Sequence, residues 1–215
     1  MRVSKSVFSK RFLVFGVGLG VSALVAAAVL VAGAVMAVPQ VAAASSANSH
    51  STDAPATTET GWYITQYGWA DNTPAGPDIA YTGCTTPGGE QVTSDDYTVP
   101  GGTNGGNGSY DEPIVMAWYT DQTSFCQIGY VPALQKYYIH ADICDPCSNP
   151  KDTHWDLWIG GSSVNTTGRD RKALINCEYT WTFNSTSVIL NPPSTEPVDT
   201  SPLFTPPSTC ATSIS

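Results

Sequence analysis

The segment 138–158 constrains this chain more than any other, because it gathers two cysteines, two histidines and four aspartates within the length of one hairpin. Asp142, Cys144 and Cys147 come first, and the run His154-Trp-Asp-Leu157 follows. These side chains supply carboxyl groups, imidazoles and sulfur atoms at short spacing. We expect any chemistry of the protein to lie in this segment.

The first 44 residues are typical of an export signal. Four basic residues precede an uncharged run rich in Val, Ala and Leu: Arg2, Lys5, Lys10 and Arg11. Small residues end the run, so we predict cleavage after Ala44, with Ala37 as the alternative, and a secreted product without membrane association. A retained membrane anchor is the competing interpretation, because the apolar run is longer than a usual signal core.

The chain beyond this signal is strongly acidic. Four of the nine basic residues and none of the 18 acidic residues lie in the first 44 positions, which leaves a formal net charge of −13 on the rest. We therefore expect no nucleic-acid partner, because binding to a phosphate backbone needs Lys and Arg to displace its counterions. Neutral glycans or basic proteins fit this charge better.

All six cysteines lie beyond the predicted signal: Cys84, Cys126, Cys144, Cys147, Cys177 and Cys210. An even number of cysteines in an exported chain predicts disulfides. Fifteen pairings of six cysteines are formally open.

The composition divides the mature chain into three parts. Residues 45–60 have almost no bulky apolar side chains and are predicted to be a flexible linker. Residues 191–215 are rich in Pro, Ser and Thr and are predicted to be a flexible tail, part of which Cys210 draws back to the body. One compact domain, 61–190, lies between them.

That domain is predicted to be all-β. Short runs of aromatic and β-branched residues recur between clusters of Gly, Pro and Asn, at 62–67, 114–119, 137–139 and 179–183. A short helical turn is expected near 169–176 from its residue propensities. Periodicity alone fits any β-barrel or sandwich.

Asp142, the pair Cys144 and Cys147, and the later His-Trp-Asp-Leu run resemble the signature of the double-psi β-barrel family, which includes expansins, barwin-like proteins and rare-lipoprotein-A-like domains. The resemblance covers most of 61–190. It implies a six-stranded double-psi β-barrel, stabilised by disulfides, in a secreted monomer. It also implies two disulfides and leaves a third as the remainder: Cys84–Cys126, Cys144–Cys147 and Cys177–Cys210.

The resemblance gives Asp156 a chemical role. In expansins and related endoglucanases the aspartate of a His-Phe-Asp motif is implicated in acid chemistry or wall loosening, and Asp156 matches it, with Trp155 in place of the usual Phe. Burial beside aromatic side chains would raise its pKa and let it donate a proton to a glycosidic oxygen. Alternatively, Asp156 accepts backbone N–H bonds and only holds the loop, as in non-catalytic relatives.

A second carboxylate is needed for hydrolysis. Double-psi endoglucanases place a general base on the first strand shortly after a Tyr, and the nearest candidate after Tyr67 is Asp71. Inverting hydrolysis requires carboxyl groups separated by roughly 6.5–9.5 Å. An Asp followed by Asn-Thr-Pro is alternatively a turn former. The protein would then have an acid without a base, as expansins do.

We expect a shallow ligand groove lined by Asp142, His154 and Asp156. Flat indole rings stack on the C–H faces of sugars, so Trp69, Trp158 and Trp155 are predicted to contact the ligand. Alternate positions of a strand point inward, which makes a core position the alternative for each tryptophan.

No cofactor or metal is expected. A structural zinc site is the alternative, because residue types that bind zinc lie close together in the sequence: His140, Asp142, Cys144, Cys147 and His154. Export disfavours it, because cysteines in an oxidising compartment pair with each other.

Three functions remain open. The leading hypothesis is an expansin-like protein that binds cell-wall polysaccharide or peptidoglycan without hydrolysis. A glycoside hydrolase or lytic enzyme would use Asp156 as acid and Asp71 as base. A secreted protease inhibitor is the third, because small bacterial inhibitors of cysteine proteases with this barrel also carry Asp-x-Cys-x-x-Cys followed by Thr-His-x-Asp-Leu.

Three Asn-x-Ser/Thr triplets begin at Asn107, Asn165 and Asn184. They match the N-glycosylation pattern, which matters only in a eukaryotic secretory pathway.

Overall fold

Six strands close into a barrel in the order β1-β5-β2-β4-β3-β6. Their bounds are β1 Thr57–Gly68, β2 Ile114–Trp118, β3 Ile128–Val131, β4 Lys136–Ile143, β5 His154–Gly160 and β6 Phe183–Leu190. Two neighbouring pairs, β1 with β5 and β2 with β4, are parallel, and the other pairs are antiparallel. The predicted all-β fold with a closed six-stranded barrel is confirmed.

The computed structural model describes residues 54–72, 75–76, 78–81, 83–93, 105–119, 125–144, 147 and 153–215. The predicted export signal, 1–44, and the first part of the predicted linker, up to residue 53, lie outside the described residues. Among the residues that are described, no helix is both long and apolar enough to cross a membrane.

Alternate residues of each strand pack into two separate clusters. Trp155 and Leu157 of β5 belong to one cluster, and Trp158 belongs to the other. The Trp155 ring lies so close to Gly129 of β3 that a Cβ there would come within 2.4 Å of it. Since β3 and β5 are not neighbours in the sheet, this contact crosses the inside of the barrel. The Trp155 side of β5 is therefore the interior.

Three tryptophans from different strands fill this interior. The ring centroid of Trp62 lies 5.1 Å from that of Trp118 and 4.8 Å from that of Trp155, and Trp118 and Trp155 are 5.4 Å apart. Tilted and edge-on contacts at these distances are favourable between aromatic rings. These three core residues are half of the six tryptophans of the chain.

One helix follows the barrel strands β1–β5. A short 3-10 helix, Ser163–Thr166, leads into α1, Gly168–Thr180, which is longer than the expected turn at 169–176. Leu174 and Cys177 of α1 pack into the interior cluster. The helix thus covers part of the barrel interior with its apolar face.

The C-terminal segment is an ordered part of the domain. Lys136 Nζ donates to the carbonyl oxygens of Asp199 and Ser201, and Leu203 and Phe204 are buried against the barrel interior. Two short strands, β7 Phe204–Thr205 and β8 Thr209–Cys210, pair beyond it.

The structure therefore places the domain boundaries outside the predicted 61 and 190. β1 already begins at Thr57, within the predicted linker 45–60, and the predicted tail 191–215 packs on the barrel. A composition rich in Pro, Ser and Thr suggested a flexible tail. The buried ammonium of Lys136 holds the carbonyl groups of this segment instead.

Both disulfides implied by the resemblance, Cys84–Cys126 and Cys144–Cys147, are present, and so is the pair left as the remainder, Cys177–Cys210. The third joins α1 to the C-terminal segment, and Cys177 is buried. Three disulfides indicate that the chain folds in an oxidising compartment.

The structure distinguishes two of the glycosylation triplets. Asn165 is completely buried, and its Nδ2 donates to the carbonyls of Asp170 (2.9 Å) and Pro207 (2.8 Å). Asn184 is exposed on β6. A glycan on Asn165 would break these two hydrogen bonds and force the C-terminal segment away.

Expression in a eukaryotic secretory host is therefore expected to give a glycan at Asn184 and an unmodified Asn165. Mass spectrometry of peptides, with and without enzymatic deglycosylation, measures the occupancy of each site. Asn184→Gln should remove the mass shift, and Asn165→Gln serves as the matched control. A glycan on Asn165 in folded protein would contradict the expectation.

Candidate functional site

The register of four adjacent strands places two carboxyl groups in one line. Thr65 pairs with Asp156 between β1 and β5, Asp156 pairs with Ala117 of β2, and Ala117 pairs with Asp142 of β4. We call Thr65, Asp156, Ala117 and Asp142 the carboxyl row. Directly paired residues point to the same face of a sheet. Because Trp155 and Leu157 point inward, the carboxyl row lies on the outer face of the barrel.

An irregularity in β4 brings Asp142 into this row. Met116 pairs with His140, but the next residue of β2, Ala117, pairs with Asp142, so Ala141 is an extra residue. A bulge of this kind redirects the side chains that follow it. Without it, strict alternation would turn Asp142 to the same side as His140.

Asp156 is the central carboxyl group of the row. It is partly exposed, and Thr65 Oγ1 lies 2.7 Å from its Oδ1. Cys144 Sγ, in its disulfide, lies 3.9 Å from Oδ2. Burial of the carboxyl group raises the pKa of Asp156 to about 7, and the negative charges of Asp71 and Asp142 act in the same direction. Asp156 is therefore partly protonated near neutral pH.

Asp142 is held by donors from three parts of the chain. The hydroxyl of Tyr67 donates to Oδ2 (2.9 Å), and the backbone N–H groups of Ala80 (3.0 Å) and Ile143 (2.8 Å) donate to Oδ1. Burial raises the pKa of Asp142, and these donors partly offset the rise. Asp142 and Asp156, which were predicted to line one groove, lie in the same row. The oxygens of Asp142, however, already accept hydrogen bonds from the Tyr67 hydroxyl and the Ala80 backbone.

Asp71 forms a turn after β1. Its Oδ1 accepts from the N–H of Gly68 (2.8 Å), and the N–H groups of Asp71 and Asn72 donate back to the Gly68 carbonyl (3.3 and 3.2 Å). Its carboxyl group is also hydrogen-bonded to that of Glu178 on α1. The turn-forming alternative describes Asp71 well, and its carboxylate is engaged on two sides.

Glu178 is a carboxyl group near Asp71 that no sequence pattern singled out. It is only 6% exposed. Burial and the nearby Asp71 raise the pKa of Glu178 to about 9. At neutral pH Glu178 is therefore protonated and donates to Asp71, whose own pKa is also raised by burial.

The pH dependence of stability tests this pair. A carboxyl group that is protonated in the fold and ionised in the unfolded chain lowers stability progressively as pH rises from its ordinary pKa towards its folded pKa. Glu178→Gln keeps a donor and cannot ionise. We expect the variant to be more stable than wild type by several kcal/mol at pH 8, up to about 5 kcal/mol, and equally stable at pH 4.

Urea denaturation at the two pH values measures this difference. Glu90→Gln, which changes an exposed carboxyl group, is the matched control and should show no such dependence. A Glu178→Gln protein that is destabilised equally at both pH values would contradict a protonated Glu178.

His154 lies at the edge of the row. Its Nε2 is 2.9 Å from Thr65 Oγ1, and its ring is tilted against that of Tyr63 at a centroid distance of 4.6 Å. Burial lowers the pKa of His154. The residue predicted to contact ligand thus contacts Thr65, which connects it to Asp156.

Two of the three tryptophans that were predicted to contact a ligand lie in the core. Trp155 is completely buried and Trp158 is 5% exposed, with Trp158 edge-on to Tyr67 at 5.2 Å. Both lie in core clusters, so the core alternative holds for both, and Trp158 also lines a cavity with Ile114 and Lys136. Trp69 is partly exposed.

A different aromatic pair lies near the row. The rings of Tyr81 and Phe125 stack at 4.6 Å, and both residues are partly exposed. The N–H of Tyr81 donates to the Ala141 carbonyl (2.9 Å), beside Asp142. No strand pattern in the sequence pointed to this pair, because its members lie on two separate loops.

One grouping of metal-binding residue types occurs within the described residues. Ligand atoms of Cys144, Cys147 and Asp156 lie within 4.8 Å of one another. The two sulfur atoms are bonded to each other, so neither is a thiolate that could bind zinc.

Comparison with known proteins identifies the family. The model of a family described as the DDB_G0273701 N-terminal domain matches residues 59–211. This chain belongs to that family. An uncharacterised Dictyostelium discoideum protein, DDB_G0273701/DDB_G0273221, is similar: it is 34% identical over 145 residues, which is 66% of this chain and 55% of the relative. The chain thus spans about half the length of this relative. No solved structure matches.

The family match extends across the entire described barrel except its first residues. It includes β1 from Glu59, all the strands of the row, and the C-terminal segment as far as Ala211. The segment beyond β6 is therefore part of the family domain, in agreement with its packing.

Proposed function

We propose that the protein is secreted and binds an uncharged cell-wall polysaccharide or peptidoglycan at the carboxyl row, without hydrolysing it. The observation that carries this proposal is the partly exposed Asp156, which is protonated for much of its time near neutral pH. A protonated carboxyl group both donates and accepts, as sugar hydroxyls do. Ala117, between Asp156 and Asp142, is itself buried, so the ligand would contact the row at Asp156.

The partly exposed aromatic rings support sugar binding beside the row. The stacked pair Tyr81 and Phe125 lies next to Asp142, and Trp69 follows the end of β1. Flat rings of this kind cover the apolar faces of sugars with little loss of side-chain entropy. They replace Trp155 and Trp158 in the proposed contact surface.

The engagement of Asp71 supports binding without hydrolysis. A general base must accept a proton from water, but Asp71 already accepts from Gly68 and from Glu178. Asp142, the other neighbour, accepts from three donors. Asp71 and Asp142, two carboxyl groups near Asp156, thus provide no unengaged base.

A glycoside hydrolase or lytic enzyme is the second candidate, and one observation favours it. A carboxyl group with a pKa of about 7 is suited to donate a proton to a glycosidic oxygen near neutral pH. Asp156 would be the acid in such an enzyme. The inhibitor hypothesis needs a rigid disulfide-bound loop that resists cleavage, and no observation on the described residues favours it.

Co-sedimentation and sugar release separate the two candidates. The purified protein is incubated with insoluble cellulose, chitin and peptidoglycan, and bound protein and soluble sugar are measured together. We expect binding without release, reduced by Asp156→Ala and unchanged by Asp111→Ala, which alters an exposed aspartate on the loop before β2. Release that Asp156→Ala abolishes would establish the enzyme. Neither binding nor release would overturn both candidates and make titration against papain-like and subtilisin-like proteases the next assay.

A further inference from the structure

Three side chains on the outer face of β1 and β5 form a continuous hydrogen-bonded chain. His154 Nε2 is 2.9 Å from Thr65 Oγ1, and Thr65 Oγ1 is 2.7 Å from Asp156 Oδ1. The parallel register produces this arrangement, because Thr65 pairs with Asp156 and His154 lies two residues earlier on the same face of β5. The hydroxyl of Thr65 is therefore the link between an acid and an imidazole.

A threonine hydroxyl has one proton, so Thr65 can donate to only one of its two neighbours. When Asp156 is ionised it accepts only, and Thr65 must donate to it. Thr65 then accepts from His154, whose Nε2 must be protonated. The neutral imidazole consequently has no proton on Nδ1.

Protonation of Asp156 reverses the direction of both hydrogen bonds. In the protein without bound glycan, one proton is taken up from water by the carboxyl group, and its O–H donates to Thr65 Oγ1; a bound sugar oxygen would take this donor in place of Thr65. Thr65 then donates to the lone pair of Nε2, and the neutral imidazole loses its Nε2 proton and gains one at Nδ1. The imidazole stays uncharged, and the only net change is the proton gained by Asp156.

We propose that Thr65 is a positioning residue that couples the ionisation of Asp156 to the tautomer of His154. The ring Nδ1 is then an acceptor when Asp156 is ionised and a donor when Asp156 is protonated. Nδ1 is buried and makes no hydrogen bond within the part of the chain that is described. The coupling thus changes Nδ1, a buried atom on the side of the ring away from the carboxyl row, from an acceptor to a donor. It rests on contact geometry and does not require that a glycan binds.

The groups around His154, Thr65 and Asp156 determine the pH at which the direction of their hydrogen bonds reverses. The titratable groups near Asp156 are Tyr67 of β1, Asp71 in the turn after it, Asp142 of β4 and Glu178 of α1, and Tyr63 contacts His154. Burial raises the pKa of Asp156 to about 7, and burial lowers the pKa of His154 below its ordinary 6.5. A pH interval exists in which Asp156 gains its proton while His154 is still neutral.

Nuclear magnetic resonance of the imidazole nitrogens tests the coupling. In uniformly ¹⁵N-labelled protein, protonated and unprotonated ring nitrogens have widely separated chemical shifts. The His154 signals are identified by their loss in His154→Gln, which separates them from those of His50 and His140. As pH falls through about 7, we expect the Nε2-protonated form to convert to the Nδ1-protonated form.

Three variants isolate the role of Thr65. Thr65→Val removes the hydroxyl and should abolish the pH-dependent exchange of tautomers, and Thr65→Ser should restore it. Asp156→Asn cannot ionise and should hold one tautomer across the same pH range, so the test stands even if Thr65→Val does not fold. A single tautomer throughout the titration of the wild type would overturn the proposal. So would a normal exchange in Asp156→Asn.

Discussion

Binding of insoluble glycan is expected to weaken by about ten- to hundredfold as pH rises from 5.5 to 8.5, with a midpoint near 7, the pKa of Asp156. Below the midpoint Asp156 is protonated and donates to a sugar oxygen. Above it the carboxylate has no proton to donate, and its charge must be desolvated by an uncharged ligand. One hydrogen bond lost to a group that becomes buried and unpaired costs about 1–3 kcal/mol.

Asp156→Asn is expected to remove this pH dependence. The amide donates at every pH and carries no charge, so the variant should bind at pH 8.5 about as well as the wild type binds at pH 5.5. Co-sedimentation isotherms at several pH values measure the effect, and Asp111→Asn is the matched control with an exposed aspartate. Equal weakening of wild type and Asp156→Asn across the range would assign the pH dependence to another group.

Trp155→Ala is expected to lower the free energy of unfolding by about 3–5 kcal/mol. Trp155 is completely buried and contacts the rings of Trp62 and Trp118, so the substitution leaves a cavity in the middle of the barrel. Neighbouring rings cannot fill it, because the strands that carry them are fixed by barrel closure. The loss approaches the whole stability of a typical domain.

Urea denaturation followed by far-ultraviolet circular dichroism measures this change. Tyr179→Ala is the control, because Tyr179 is also aromatic but is 75% exposed on α1, and its removal should alter stability by less than about 0.5 kcal/mol. A Trp155→Ala protein as stable as the control would mean that Trp155 is not in the interior.

The fold was predictable because its determinants are local or are carried by a distinctive motif. Short strand-forming runs between turn residues indicate an all-β chain, and the spacing of Asp142, Cys144, Cys147 and Asp156 supplied the barrel and its disulfides by resemblance. The burial of Trp155 was also within reach of the sequence. In a strand Trp155 and Asp156 must point to opposite faces, so only one of them can line an outer groove.

The remainder of the site depends on register between distant strands. Thr65 meets Asp156 only because β1 and β5 run parallel in one alignment, and a shift of one residue would turn Thr65 inward. Glu178 occurs on a helix whose sequence gives no sign that it pairs with Asp71. The buried Lys136 likewise has partners far along the chain, in a segment whose composition suggests a tail.

The pairing of β1 has a consequence for how the protein is made. β1 is the first strand of the barrel, yet both of its neighbours, β5 and β6, come from the second half of the described chain. Contacts of such high sequence separation fold slowly, because a long loop must be closed before they form. During synthesis β1 has no partner until residues 154–190 are available, and its backbone donors and acceptors remain open to other chains. The yield of folded protein should therefore depend on how well the unpaired β1 is protected from aggregation until residues 154–190 have been made.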